Sequence, residues 1–426
     1  MATLQRALGR WDLTAIGVNS VIGGAIFVWP ALVAAQIGAW SPIGFVAIGL
    51  LSMSVALCLA ELSSRFDATG GPYLFTRAAF GDFVGFEVGW MQWFTRPASQ
   101  ASIMAAMAIA VGYYFPAVTA GWPRVLFLAV LTIVFAGINI RGIRQGTLAV
   151  DALTIAKLVP LLIFIAIGLA FVQPRRLTVL PAITIQQALA AGLLLIFVYG
   201  GYEVVPVPGG EALDPRRDVP FAMVATIVIV AIVMTLIQIV AQGVLPDLAG
   251  HATPIADAAA AFLGAGGALL IGVGSVVSMA GTIAGHVLSG SRLIFALAEG
   301  DQLPAFFARI HPRFQTPVNA IVFTSAVALI LALSGSFTAV AVVSVLARLL
   351  VYAGSAAATL RLRSMADPAA AKPAVFVAPL GPTMPIVAML VCAALAAGAT
   401  RQQLAGGVLA FAVGALFFAL ARRRRN

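Results

Sequence analysis

Two ionisable residues stand inside long apolar stretches, where a charge is costly and its presence points to function. Lys157, one of two lysines, lies within Leu153-Thr154-Ile155-Ala156-Lys157-Leu158-Val159. Glu203 closes the run Phe197-Val198-Tyr199-Gly200-Gly201-Tyr202-Glu203. A buried amine gives up its proton more readily than one in water, so Lys157 is a candidate proton carrier. It is equally suited to stay charged and to pin a helix end through that end's free carbonyls. Glu203 suits a proton relay or a hydrogen-bonded structural carboxyl. Neither residue sits in a catalytic set. No nucleophile–base pair is evident, and Gly264-Ala265-Gly266-Gly267 lacks the lysine of a phosphate-binding loop. His251, His286 and His311 lack the spacing of metal ligands. Cys58 and Cys392 read as small apolar residues with no disulfide. No cofactor and no metal are expected, which leaves an intramembrane enzyme the least supported class.

The elements that must position these residues are interrupted. One apolar stretch, roughly 14–37, contains Val21-Ile22-Gly23-Gly24-Ala25-Ile26-Phe27, and another, roughly 188–208, contains Gly200-Gly201. Glycine weakens a helix, and a membrane tolerates unwound backbone only where it is buried in protein or lines a cavity. Two breaks at corresponding places point to inverted repeats with the substrate at the breaks. Paired glycines also serve close helix packing, which is the structural alternative.

The composition agrees with a membrane protein. The chain is 62% hydrophobic and 9% charged, with a mean hydropathy of +1.05, whereas a soluble domain is about one-quarter charged. About twelve spans of bilayer length are expected, at roughly 14–37, 41–62, 83–115, 123–141, 148–172, 187–208, 219–245, 262–298, 317–335, 337–363, 378–399 and 403–421. The expected architecture is a single all-α transmembrane domain over 1–426. Repeat one would cover about 14–172 and repeat two about 187–363, with two extra helices over about 378–421. With the N-terminus inside, Arg6, Arg10, Arg65, Arg77, Arg141, Arg144, Arg216, Arg217, Arg292, Arg309, Arg313, Arg361, Arg363, Lys372 and Arg422 to Arg425 fall on one side. Arg124, Arg175, Arg176 and Arg401 fall on the other. That bias places both termini in the cytoplasm and accounts for the net charge of +10 without nucleic acid. The N-terminus reads as lacking a signal-peptide cleavage site.

Five motifs in order sharpen this reading. They are Val21-Ile22-Gly23-Gly24-Ala25-Ile26-Phe27, then Ala60-Glu61-Leu62 with Thr69-Gly70-Gly71-Pro72-Tyr73, then Arg96-Pro97-Ala98-Ser99-Gln100. Next come Tyr199-Gly200-Gly201-Tyr202 with Glu211 to Pro220, and finally Ser291-Arg292-Leu293 with Gly300 to Pro304 and His311 to Pro317. Over nearly its whole length the chain resembles the amino acid–polyamine–organocation (APC) superfamily, closest to L-type-like amino acid transporters. The resemblance implies a LeuT-like five-plus-five inverted repeat with discontinuous helices one and six. It departs from the pattern at Ala25, Tyr202 and Gly210, which stand where the family has glycine, tryptophan and an acid.

On that resemblance a site can be assigned. An amino acid presents a carboxylate and an ammonium at fixed separation. The N–H groups of Gly23, Gly24 and Ala25 open a half-helix and suit the carboxylate. Carbonyls of Val21, Ile22, Phe197, Val198 and Gly200 suit the ammonium. Phe197 matches an aromatic gate, and Tyr202 walls the side-chain pocket. Lys157 falls where related permeases place an ammonium at the former sodium position, so transport is expected to be sodium-independent. Whether Lys157 cycles a proton, giving symport, or stays paired, giving exchange or downhill flow, is left open. Arg96 and Arg348 either pair with an acid, cap unwound backbone or act directly, and His286 is read as a packing residue. Glu61, Glu211, Arg65, Arg217 and Arg292 suit an inner gate.

The expected function is a secondary amino acid transporter, with protons as a possible co-substrate. The alternatives are a membrane-embedded amino acid sensor and a polyamine or amine permease. No acid is clearly free for a cationic side chain, and Gly200-Gly201 leave room, so neutral amino acids are favoured. A monomer suffices for transport, and no partner beyond substrate and bilayer is expected.

Overall fold

The computed structural model describes residues 5–112, 115–334, 337–365 and 371–423. Among them there is no strand, and one isolated parallel bridge joins Leu8 to Ala212. The helices are α1 (Arg10–Val21), α2 (Trp29–Ile37), α3 (Ser41–Ser63), α4 (Pro72–Phe80), α5 (Asp82–Gly112), α6 (Gly121–Ile140), α7 (Ile143–Gly168) and α8 (Arg175–Thr178). They continue as α9 (Ile185–Tyr199), α10 (Pro215–Val244), α11 (Pro254–Glu299), α12 (Val318–Leu333), α13 (Phe337–Ser364), α14 (Thr383–Ala397) and α15 (Arg401–Arg423).

Six described stretches are long and apolar enough to cross a bilayer: Trp29–Ser63, Gly121–Ile140, Val150–Phe171, Pro215–Val244, Pro254–Glu299 and Val345–Ser364. The chain is therefore a multi-pass, all-helical membrane protein. The stretch Trp29–Ser63 is two helices, α2 and α3, separated at Gly38, φ +55°, by the 3-10 turn Gly38–Trp40. Trp40 Nε1 secures the corner by donating to Pro181 O at 2.9 Å.

Helix α1 lies at the centre, packed on α10, α7 and α11. Around it α10 packs on α3, α11 on α5 and α7, and α13 on α5. Two differences from the sequence reading concern element boundaries. The eighth stretch is broken by a kink at Gly264, φ +66°, within the expected span-start glycine cluster, and a shorter helical segment from Pro254 precedes it. The sixth stretch does not resume as an α-helix after its glycines. Tyr202–Val204 and Gly209–Glu211 form single 3-10 turns before α10 begins. Pro206, Pro208, Gly209 and Gly210 explain this, since prolines remove N–H donors and glycines favour turns.

Candidate functional site

The first break follows α1. Ile22 N–H closes the last turn on Val18 O at 2.8 Å, and Gly23 N–H folds back on Val21 O at 2.8 Å. A 3-10 turn, Gly24–Phe27, then leads into α2. The first N–H groups of such a turn have no acceptor within it, which leaves Gly24 and Ala25 at the mouth of the half-helix. Two of the expected groups are already engaged. Gly23 N–H is held by Val21 O, and Ile22 O accepts from Lys157 Nζ at 2.7 Å and from Ser278 Oγ at 3.3 Å. A carbonyl has two lone pairs, so Val21 O retains one while Ile22 O, with two donors, is filled.

Lys157 is fully buried and reaches across from α7. Its Nζ donates to Asn19 O at 3.1 Å, to Ile22 O at 2.7 Å and to Thr282 Oγ1 at 3.4 Å. An ammonium has three donors and no acceptor, so three surrounding oxygens match its valence. Asn19 Nδ2 adds a bond to Gly281 O at 2.6 Å. One lysine thus ties α1, α7 and α11 together at the carbonyl end of α1, where the helix dipole is negative. Thr282 and Ser278 were missed from the sequence. Their four-residue spacing, which puts them on one face of α11, was the available signal.

The second break follows α9, which opens with a reciprocal cap between Thr184 and Gln187. Gly200 N–H turns back on Phe197 O at 3.2 Å. Gly201 adopts φ +136°, where a side chain is strained, and an added Cβ would press on Ser20 O at 2.5 Å. The two interrupted segments therefore touch through bare backbone. Glu203 folds over the break. Its Oε2 accepts from Gly201 N–H at 2.8 Å and from Tyr352 Oη at 3.0 Å. Its Oε1 accepts from Arg96 Nη2 at 2.7 Å, and Arg348 Nη1 lies 3.8 Å away. Gln92 Nε2 donates to Glu203 O at 2.8 Å. Arg96 and Arg348 thus converge on one carboxylate.

The room expected beside Gly200-Gly201 is filled. A Cβ on Gly200 would fall within the Arg348 guanidinium, and Ser20 closes on Gly201. Tyr202 is buried and stacks on Tyr352, ring centroids 5.2 Å apart. Phe197 is half-buried and packs on Trp29 at 5.0 Å, with the Arg348 guanidinium 5.8 Å from its ring. It therefore bridges the two breaks, since Trp29 opens α2. Val198 is buried, as is His286, which lies on α11. Tyr352 and Gln92 were missed from the sequence. Tyr352 stands four residues after Arg348, on the same face of α13.

The expected inner gate resolves into separate pairs. Arg292 holds Glu211 with two bonds of 3.1 Å, both side chains fully buried. Beside them the N-terminal segment docks, with Ala7 and Leu8 N–H on Glu211 O at 2.9 and 3.0 Å. Glu61 joins Arg65 at 3.2 Å, and Arg363, which the sequence reading passed over, and takes Ala378 N–H at 2.9 Å. Arg217 stands apart, exposed, 3.9 Å from Asp214. Glu87 was also missed. It is buried on α5 against Gly414 and Trp90, and neither carboxylate oxygen has a partner among the described residues.

Comparison with known proteins follows the same lines. The sequence pattern of a family described as amino acid permease matches residues 8–420. The chain is 30% identical over 404 residues to the serine/threonine exchanger SteT of Bacillus subtilis, covering 91% of this chain and 89% of that protein. It is 26% identical to the methylthioribose transporter of Bacillus subtilis, over 76% of this chain and 74% of that one. It is 25% identical to the branched-chain amino acid permease BcaP of the same organism, over 75% and 73%.

Proposed function

The chain belongs to the amino acid permease family and is a transporter, not an enzyme; on that premise we propose that it moves amino acids across the cytoplasmic membrane by alternating access, without sodium. The fold we propose for this work is about twelve spans in a five-plus-five inverted repeat, one domain, with both termini cytoplasmic. The positive-inside bias and the two breaks support that reading.

The substrate carboxylate sits on the free N–H groups of Gly24 and Ala25, with Gly23 at the turn. The ammonium takes carbonyl lone pairs of Val21, Phe197, Val198 and Gly200, while Ile22 O, expected beside them, is held by Lys157 and Ser278. Phe197, between the two breaks and half-exposed, is the gate, and Tyr202 walls the pocket. Glu203 is bound by two arginines and offers no charge to a cationic side chain. This favours substrates without a positive side chain, neutral amino acids among them, and disfavours polyamines and amines.

The observation that carries the coupling assignment is the set of three oxygens around Lys157 Nζ. They suit a lasting ammonium that stands in for sodium and holds α1 in place. A lysine that stays charged cannot carry a proton across, which leaves exchange or downhill flow, and we favour exchange. The exchanger among the relatives has that activity by name. Reconstituted liposomes test this. Uptake should persist when sodium is replaced by choline and should need internal amino acid. Uptake into empty vesicles driven by an imposed pH gradient would establish symport instead. A requirement for external sodium would overturn the proposal, and binding without uptake would mark a sensor.

A further inference from the structure

The charges around the second break do not balance. Arg96 and Arg348 bring two positive charges, and Glu203 brings one negative charge. Arg348 is 4% exposed, yet its Nε and Nη1 have no hydrogen-bond partner among the described residues. Its Nη1 is 3.8 Å from Glu203 Oε1, beyond hydrogen-bond reach. Arg96, by contrast, makes a 2.7 Å bond to that oxygen and two more to Thr95 Oγ1 at 2.8 and 3.0 Å. The carboxylate already accepts three bonds, from Arg96 on Oε1 and from Tyr352 and Gly201 on Oε2, and none comes from Arg348. A buried guanidinium with free donors is costly until an acceptor reaches it.

The position of those free donors decides what the acceptor is. The guanidinium occupies the space where a Gly200 side chain would be, and its face lies 5.8 Å from the Phe197 ring. It therefore stands at the break itself, beside the groups assigned to the amino acid backbone. A ligand whose carboxylate and ammonium fill those groups projects its side chain toward the surrounding walls. Among the described residues Arg96 leaves Nη1 without a hydrogen-bond partner and Arg348 leaves both Nε and Nη1, and it is Arg348 that fills the space at Gly200.

We propose that Arg348 is the specificity-determining residue of the site and forms an anion subsite, so that the preferred substrates are amino acids with a carboxylate side chain. The proposal rests on the breaks being the amino acid site. It narrows the substrates without a positive side chain to the acidic ones. The side-chain carboxylate takes the free donors of Arg348 and cancels the excess positive charge, and a lysine or polyamine meets repulsion in the same place. A guanidinium holds its donors in fixed directions and stays charged, which a flexible lysine ammonium does not match.

The test uses the full-length protein in proteoliposomes and in detergent. L-glutamate, L-aspartate, L-serine, L-leucine and L-lysine are compared by thermal shift. Uptake of radiolabelled L-glutamate and L-serine is then measured for wild type, Arg348→Lys and Arg348→Gln. The acidic amino acids should stabilise the wild type most, and L-lysine should not stabilise it. In Arg348→Gln the glutamate-to-serine ratio of kcat/KM should fall by about tenfold or more. In Arg348→Lys the KM for glutamate should rise while that for serine holds. A residue that only shapes the break would lower both substrates together and leave the ratio unchanged, which overturns the proposal. So does a wild type that ranks serine or leucine above glutamate, and this ranking decides the matter even if Arg348→Gln does not fold. Failure of every amino acid to bind removes the site assignment and the anion subsite with it.

Discussion

The two breaks are secured by opposite chemistry. At the first, α1 ends in carbonyls, and a cation, Lys157, closes on them from α7. At the second, the unwound chain presents the Gly201 N–H, and an anion, Glu203, closes on it from two residues away. The difference extends to what surrounds each pin. Lys157 sits among neutral oxygens, while Glu203 sits between two guanidinium groups. Removing the lysine leaves carbonyls unpaired. Removing the glutamate leaves two buried positive charges facing each other. The first break is a dipole neutralised by a charge, and the second is a charge cluster that happens to hold a turn.

The sharpest way to break the comparison is to remove each pin. Glu203→Ala should destabilise by about 3–5 kcal/mol, the cost of stranding a buried charge. Lys157→Met should lose less, about 1–3 kcal/mol for carbonyls left without donors. Thermal melts of the purified variants order the two, and a larger loss at Lys157 would invert the contrast.

The glycines should diverge next. Gly201→Ala meets the Ser20 carbonyl at a positive φ and should cost about 1–3 kcal/mol. Gly24→Ala meets a flexible side chain, Met279 Cγ at 3.1 Å, and should leave the melt within about 0.5 kcal/mol. Gly24→Val, which crowds the free N–H groups, should abolish amino acid binding in a folded protein. Retained wild-type affinity there would move the carboxylate site elsewhere.

Phe197→Ala touches both breaks and should lower Tm by a few degrees. Its transport rate should fall out of proportion to that shift. Wild-type uptake would reduce Phe197 to a packing residue between Trp29 and Arg348.

The location of both breaks was legible because glycine pairs interrupt otherwise continuous apolar runs. The contact of Lys157 with helix-end carbonyls was also legible as one of two roles, since a lone buried amine has few other partners. The convergence of Arg96 and Arg348 on Glu203 was not. A charge inside a span is visible in sequence, but its partner here lies 107 positions away, and periodicity reports only which face a residue occupies. The second half of the sixth stretch misled for a different reason. Its apolar residues satisfy a hydropathy window, while Pro206, Pro208 and the following glycines dictate turns. The room expected beside Gly200-Gly201 failed likewise, because absence of a side chain says nothing of what fills the space. Arg348 does so from α13.

The Arg292–Glu211 pair has a consequence for rate. Both side chains are fully shielded from solvent, so mobile ions cannot approach within the distance at which they screen surface charges. If inward opening parts this pair, the opening step carries a barrier that added salt does not lower. Turnover limited by that step would hold steady across ionic strengths at which exposed pairs such as Arg217–Asp214 have already loosened.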